Sequence, residues 1–179
     1  MDRCKVGVIG CGDISRVYLH SLTQVFRNTQ VVAVSSRGGE SARRRAAEFD
    51  IPYAVSTEEL LAMEFDIVVI LTDPVSHFRL AEQALLAGKH TYVEKPLAAT
   101  TAEAAHLLTL AREKNLMLTC APDTLLGGGI QTCRKLIDNG LIGTPVASVG
   151  QTFNGGPESW HPNPFFLYQK GAGPLYDVG

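Results

Sequence analysis

Residues 5–15 read Lys-Val-Gly-Val-Ile-Gly-Cys-Gly-Asp-Ile-Ser. Lys5 to Ile9 is apolar and β-branched, the pattern of a short buried strand. It runs directly into Gly10-Cys11-Gly12-Asp13-Ile14-Ser15. Asp13 to Phe26 then carries Ile14, Val17, Tyr18 and Leu22 at helical spacing. Strand, glycine turn and helix together open a β-α-β unit. The turn follows G-x-G-x-x-G, with Ser15 in place of the third glycine. The first glycine permits the tight turn. The second lets the backbone approach a pyrophosphate, and the helix start offers free N–H groups and the positive end of its dipole. Serine is small enough to keep helix and strand close. Gly10, Gly12, Asp13 and Ile14 are therefore candidate cofactor-binding residues.

The same alternation continues outward from this turn. Strands are expected at Gln30–Val34, Pro52–Val55, Asp66–Leu71, His90–Val93 and Leu116–Cys120. Helices are expected at Glu40–Phe49, from Thr57 through Leu61, at Val75–Ala87, and from Thr101 to about Lys114. Ser56-Thr57-Glu58-Glu59 and Thr100-Thr101-Ala102-Glu103 have the form of capping boxes. Gly88 suits a helix C-terminus. Asp66–Leu71 is the most apolar strand and should be central, covered on both faces. Such alternation requires parallel pairing with right-handed crossovers, hence an α/β, doubly wound parallel sheet. After Ala121 the style changes. A helix is expected over about Thr124–Asn139, a strand over Pro145–Phe153 and a loop over Asn154–Pro164. The reading is a dinucleotide-binding domain over residues 1–121, then the beginning of a second α/β domain over 122–179.

The chain has 179 residues, with 16 basic and 18 acidic side chains and a formal charge of −2. That balance gives no broad basic surface, so no nucleic-acid partner is expected. At 45% hydrophobic residues, the chain can build a core and is not of the disordered class. No apolar run is long enough for a membrane span and no secretion signal stands at the N-terminus. Cys4, Cys11, Cys120 and Cys133 are scattered, with no metal-ligand spacing. Reduced thiols, a cytoplasmic location and no metal are the expectation.

Many NAD-binding folds place an acid after the second strand, where it holds the ribose 2′-hydroxyl. Here Val31-Val32-Ala33-Val34 leads into Ser35-Ser36-Arg37, with no acid at that point. Ser36 can donate to a phosphate, and the Arg37 guanidinium can grip one. The pair favours NADP over NAD. Arg43-Arg44-Arg45 reads as the wet face of the second helix, with at most one of the three reaching the ribose.

Further motifs join these. Leu71-Thr72-Asp73-Pro74-Val75-Ser76-His77 follows the central strand. Ala87-Gly88-Lys89-His90-Thr91-Tyr92-Val93-Glu94-Lys95-Pro96-Leu97 comes later, and Gly171-Ala172-Gly173-Pro174-Leu175-Tyr176-Asp177-Val178-Gly179 stands last. This set resembles the Gfo/Idh/MocA oxidoreductases, the glucose–fructose oxidoreductase and inositol dehydrogenase family. The resemblance implies an N-terminal Rossmann domain that binds NADP or NAD, joined to a C-terminal α/β domain. The substrate, a sugar, cyclitol or related alcohol, lies between them. It implies that Lys95 supports proton transfer at the substrate hydroxyl, with Asp177 on the catalytic side. Thr72, Pro74, His77, Glu94, Lys95 and Pro96 are candidate cofactor-binding residues: Thr72 and Pro74 line a ribose by backbone contacts, Glu94 contacts the nicotinamide ribose or orients Lys95, Pro96 fixes the turn, and His77, at the start of the helix after the central strand, serves either a ligand or the scaffold. Trp160 and His161, in the Pro-rich loop, are candidates for the substrate pocket.

The family's motif continues with a His or Tyr at what would be residue 181, and its members are about twice this length. The 179-residue chain is therefore expected to be catalytically incomplete alone. The alternative is a non-catalytic dinucleotide-binding protein or remnant. Association into a homo-oligomer fits either reading.

Overall fold

The computed structural model describes residues 3–121, 124–151, 153, 155–156, 158–159 and 164–168. Six strands form one sheet: β1 (Cys4–Ile9), β2 (Thr29–Ser35), β3 (Tyr53–Val55), β4 (Ile67–Ile70), β5 (His90–Val93) and β6 (Leu118–Cys120). All pairings are parallel and the order is β3-β2-β1-β4-β5-β6. β4 lies inside the sheet between β1 and β5, as its apolar run requires. Pairing puts Gly7 opposite Val68 and Val69 opposite Tyr92.

The helices are α1 (Ser15–His20), continued by a π-helical turn over Ser21–Val25, α2 (Glu40–Phe49), α3 (Thr57–Ala62), α4 (Pro74–Leu86) and α5 (Thr101–Glu113). Both capping boxes form, with Glu59 N donating to Ser56 Oγ and Glu103 N to Thr100 Oγ1. Gly88 closes α4 in the left-handed region at φ +77°. Strand residues alternate between two cores, because successive side chains leave opposite faces of a sheet. Val6, Val8, Val31, Val34, Val69 and Leu71 pack with Leu19, Ala42 and Ala46 under α1 and α2. Ile9, Ala33, Val68, Ile70 and Val93 pack with Leu60, Leu80, Leu85 and Leu107 under α3, α4 and α5. Each face of the sheet is thus closed by helices.

Two expectations give way here. The buried stripe of the first helix is not Ile14, Val17, Tyr18 and Leu22. Ser15 and Leu19 are its fully buried residues, with Tyr18 and Leu22 at the margin, while Ile14 and Val17 are exposed. The stripe runs at i, i+4, i+7 from Ser15, because Ser15 must lie under the glycine turn. Second, none of the described residues in 145–153 is in a strand. Alternation alone forms no strand, since the backbone groups need a neighbouring strand to pair with. Before that stretch stand a short 3-10 turn, Thr124–Leu126, and α6 (Gly128–Asp138), on which no residue is buried. Pro164–Tyr168 forms a further 3-10 turn.

Candidate cofactor site

The segments that carry the candidate residues all follow the carboxyl ends of parallel strands. Gly10–Ile14 follows β1, Ser36 and Arg37 follow β2, Thr72–Pro74 follows β4, and Glu94–Pro96 follows β5. In a parallel sheet these ends share one edge. The strand order reverses between β1 and β4, and ligands of such sheets sit in the crevice at that point.

Gly10 and Gly12 are glycine for different reasons. Gly10 has φ +104°, and a Cβ there would lie 2.6 Å from the Leu71 carbonyl carbon and oxygen. The backbone leaves no room, and Gly10 N–H donates to Ser35 O at 2.9 Å. A Cβ on Gly12 would meet nothing within 4 Å among the described residues. The packing of the described residues does not need this glycine, but a pyrophosphate lying against the turn would. Asp13 and Ile14 are exposed, and the N–H groups of Gly12, Asp13 and Ile14 have no acceptor among the described residues. A close turn, an open second glycine and free amides together fit a dinucleotide's pyrophosphate.

At the ribose end, Ser36 Oγ accepts from Ala42 N at 3.1 Å and so caps α2 while its own O–H stays free to donate. Arg37 is exposed and has no partner among the described residues. Arg43 and Arg44 are exposed, as their reading as a wet face requires, but Arg45 is not. It is 6% exposed and turned under the glycine turn. Its position could have been seen in the sequence. It stands three residues after Ala42 and four before Phe49, on the apolar stripe of α2.

Thr72 accepts from Ser76 Oγ at 2.7 Å, and Pro74 occupies the first turn of α4, where its missing N–H costs nothing. His77 is fully buried. Its Nδ1 lies 2.6 Å from Pro96 O and its Nε2 2.9 Å from Thr72 O. Both nitrogens face backbone carbonyls, so His77 ties the segment after β4 to the segment after β5. This is the scaffold role open to a histidine at the start of such a helix: the ring braces the two segments from beneath.

The Glu94 carboxylate is held at both oxygens. Oε1 accepts from Tyr18 O–H at 2.8 Å, and Oε2 accepts from Lys95 N–H at 2.8 Å. Tyr18 also meets the Tyr92 hydroxyl at 3.3 Å. Burial, then the bonds to Tyr92 and Glu94, push the Tyr18 hydroxyl far up, so it remains a donor. Glu94 thereby fastens the end of β5 to α1 and fixes where the chain leaves for Lys95. Lys95 is half-buried and joined to Pro96 by a cis peptide bond. The Cys120 thiol nearby is pushed up to about 11 by burial and by Glu94. Sequence reasoning missed Tyr18 as the partner of both Tyr92 and Glu94, since residues 74 and 76 positions apart show no common pattern. Trp160, His161 and Asp177 lie outside the described residues. Among the described residues no three metal-ligating side chains come together, and no helix is long and apolar enough to cross a membrane.

Fold and site define a dinucleotide-binding α/β domain of the doubly wound class. The family described as "Oxidoreductase family, NAD-binding Rossmann fold" matches residues 4–121, and the chain belongs to this Gfo/Idh/MocA family. It is 35% identical over 156 residues to dTDP-3,4-didehydro-2,6-dideoxy-alpha-D-glucose 3-reductase of Streptomyces violaceoruber, covering 87% of this chain and 45% of that protein. It is 36% identical over 135 residues to UDP-N-acetylglucosamine 3-dehydrogenase of Acidithiobacillus ferrooxidans, covering 75% and 42%. The crystal structure of KijD10, a 3-ketoreductase from Actinomadura kijaniata in complex with NADP, superposes with a TM-score of 0.72 at 33% identity. That match covers 79% of this chain and 46% of the other. The chain spans about half the length of the curated relatives it matches.

Proposed function

We propose that this chain is the cofactor-holding part of a cytoplasmic NAD(P)-dependent oxidoreductase acting on a sugar, cyclitol or related alcohol, with NADP preferred over NAD. The observation that carries the reading is the glycine turn. Gly10 admits no side chain, Gly12 opens onto free space, and both sit at the edge where Lys95 also stands. The similar sugar reductases and the NADP-bound 3-ketoreductase support the substrate class and the cofactor.

Gly12, Asp13 and Ile14 hold the pyrophosphate through backbone amides, and Gly10 makes the tight turn that presents them. Ser36 and Arg37 take the ribose 2′-phosphate, and Thr72 and Pro74 border the cofactor farther along the edge. When bound, NADP supplies the acceptor or donor of a hydride. Hydride removal from an alcohol also requires its hydroxyl proton to leave, and Lys95 takes that proton and returns it in the reverse direction. Glu94 and Pro96 set the position of Lys95. Asp177, Trp160 and His161 belong to the substrate side, in a second α/β domain that begins near residue 122.

Titration of NADPH and NADH into the parent chain and into Arg37→Ala tests this reading. Loss of a hydrogen bond to a charged group weakens binding by about 1.5–3 kcal/mol. That loss is expected for NADPH alone. A parent chain that prefers NADH, with no effect of the substitution, refutes the assignment.

A further inference from the structure

We infer that Arg45 is a positioning residue for the pyrophosphate turn, acting with Ser15 to aim the Asp13 amide. The inference rests on the dinucleotide reading above and deepens it. A guanidinium is costly to bury unless its donors find acceptors. Arg45 is 6% exposed and all three of its nitrogens are engaged. Nε donates to Ser15 Oγ at 3.1 Å, Nη2 to Gly12 O at 3.2 Å, and Nη1 to Glu48 Oε2 at 2.6 Å. Glu48 in turn accepts from Arg16 Nε at 2.8 Å, which links α2 back to α1.

The Gly12 carbonyl is the point where these bonds converge. It accepts from Arg45, from Ser15 Oγ at 2.5 Å and from Ser15 N at 3.3 Å. The peptide unit is planar and trans, so fixing the Gly12 C=O from below fixes the Asp13 N–H in the opposite direction. That direction is the open side of the turn. Ser15 is fully buried and stands where the glycine pattern has its third glycine. A glycine there would offer no hydroxyl to Arg45 or to the Gly12 carbonyl. Serine and the buried arginine are thus a matched pair: the side chain that departs from the pattern is one that the arginine uses.

The test compares the parent with Arg45→Met, which keeps an apolar stem and removes the donors. Arg45→Lys keeps the charge without the fork, and Ser15→Ala opens the clamp from its other side. Three quantities are read on each folded chain: dissociation constants for NADPH and NADH, the melting temperature, and 15N order parameters of the Gly12 and Asp13 amides without cofactor. The clamp predicts that Arg45→Met weakens both cofactors by the same factor, about tenfold, because the pyrophosphate is common to them. It also predicts lower order at Gly12 and Asp13 while the β1 and β4 amides keep theirs. Arg45→Lys and Ser15→Ala should shift in the same direction by less. Ser15→Ala added to Arg45→Met should weaken binding little further, since the two act on one carbonyl.

A merely structural arginine would lower the melting temperature and leave both constants and the amide order unchanged. That result overturns the inference, and Arg45→Lys and Ser15→Ala decide it if Arg45→Met does not fold. A parent chain that binds neither cofactor would defeat the dinucleotide reading instead. The amide order would then still decide whether Arg45 positions the turn.

Discussion

Replacing His77 with leucine removes the ring that stands between two carbonyl groups, and its N–H, while refilling most of the space. The imidazole is fully buried, 2.6 Å from Pro96 O and 2.9 Å from Thr72 O. Leucine can occupy the cavity but donates nothing. The ring carries one N–H to donate, so one acceptor loses its partner, at a cost of about 1–3 kcal/mol. That is a large share of the roughly 5–15 kcal/mol that holds a domain folded. With a urea slope near 2 kcal/mol per molar, the unfolding midpoint should fall by about 0.5–1.5 M. Circular dichroism in a urea series reads this directly. The two carbonyls belong to the segments that flank the cofactor edge, so the variant, where folded, should also bind NADPH more weakly. A His77→Leu chain with the parent's midpoint and the parent's affinity would refute the brace.

Gly10→Ala should destabilise the fold by roughly 2–6 kcal/mol, combining the left-handed backbone with the clash against Leu71; an unchanged melting temperature would contradict this. Cysteine alkylation should proceed first at exposed Cys133 and last at buried Cys11. Burial, against the lowering pull of Arg45 and Arg44, holds the Cys11 thiol up at about 11, leaving about one part in a thousand as thiolate at pH 8. Its labelling should therefore speed up about tenfold for each pH unit up to that value, and mass spectrometry of timed samples checks both the order and the slope.

The sheet was legible because its signals are local. Val and Ile runs bounded by glycine mark the strands, and Ser56 and Thr100 with their glutamates three residues on mark two helix starts. The tight turn at Gly10 was legible because it depends on backbone conformation alone. The role of Arg45 was obscured by its neighbours, since three arginines in a row suggest a solvated face although helical spacing points only one of them inward. His77 shows a different limit. Its position at the start of the helix after β4 left ligand and scaffold equally open, and only its depth, set by the packing of α4 on β4 and β5, puts both nitrogens against scaffold carbonyls. The Tyr18–Glu94 bond joins residues 76 positions apart, and no pattern in the chain announces such a contact before the sheet is assembled.

The central claim is that the turn after β1 holds a dinucleotide, and Gly12→Val tests it most directly. A valine Cβ there meets nothing within 4 Å among the described residues, so the variant should keep the parent's circular dichroism spectrum and melting temperature. The same side chain fills the space where the pyrophosphate meets the backbone. Calorimetric titration with NADPH and NADH should show saturable binding to the parent and none to folded Gly12→Val. A folded Gly12→Val chain that binds either cofactor as tightly as the parent, or a parent that binds neither, would contradict the account.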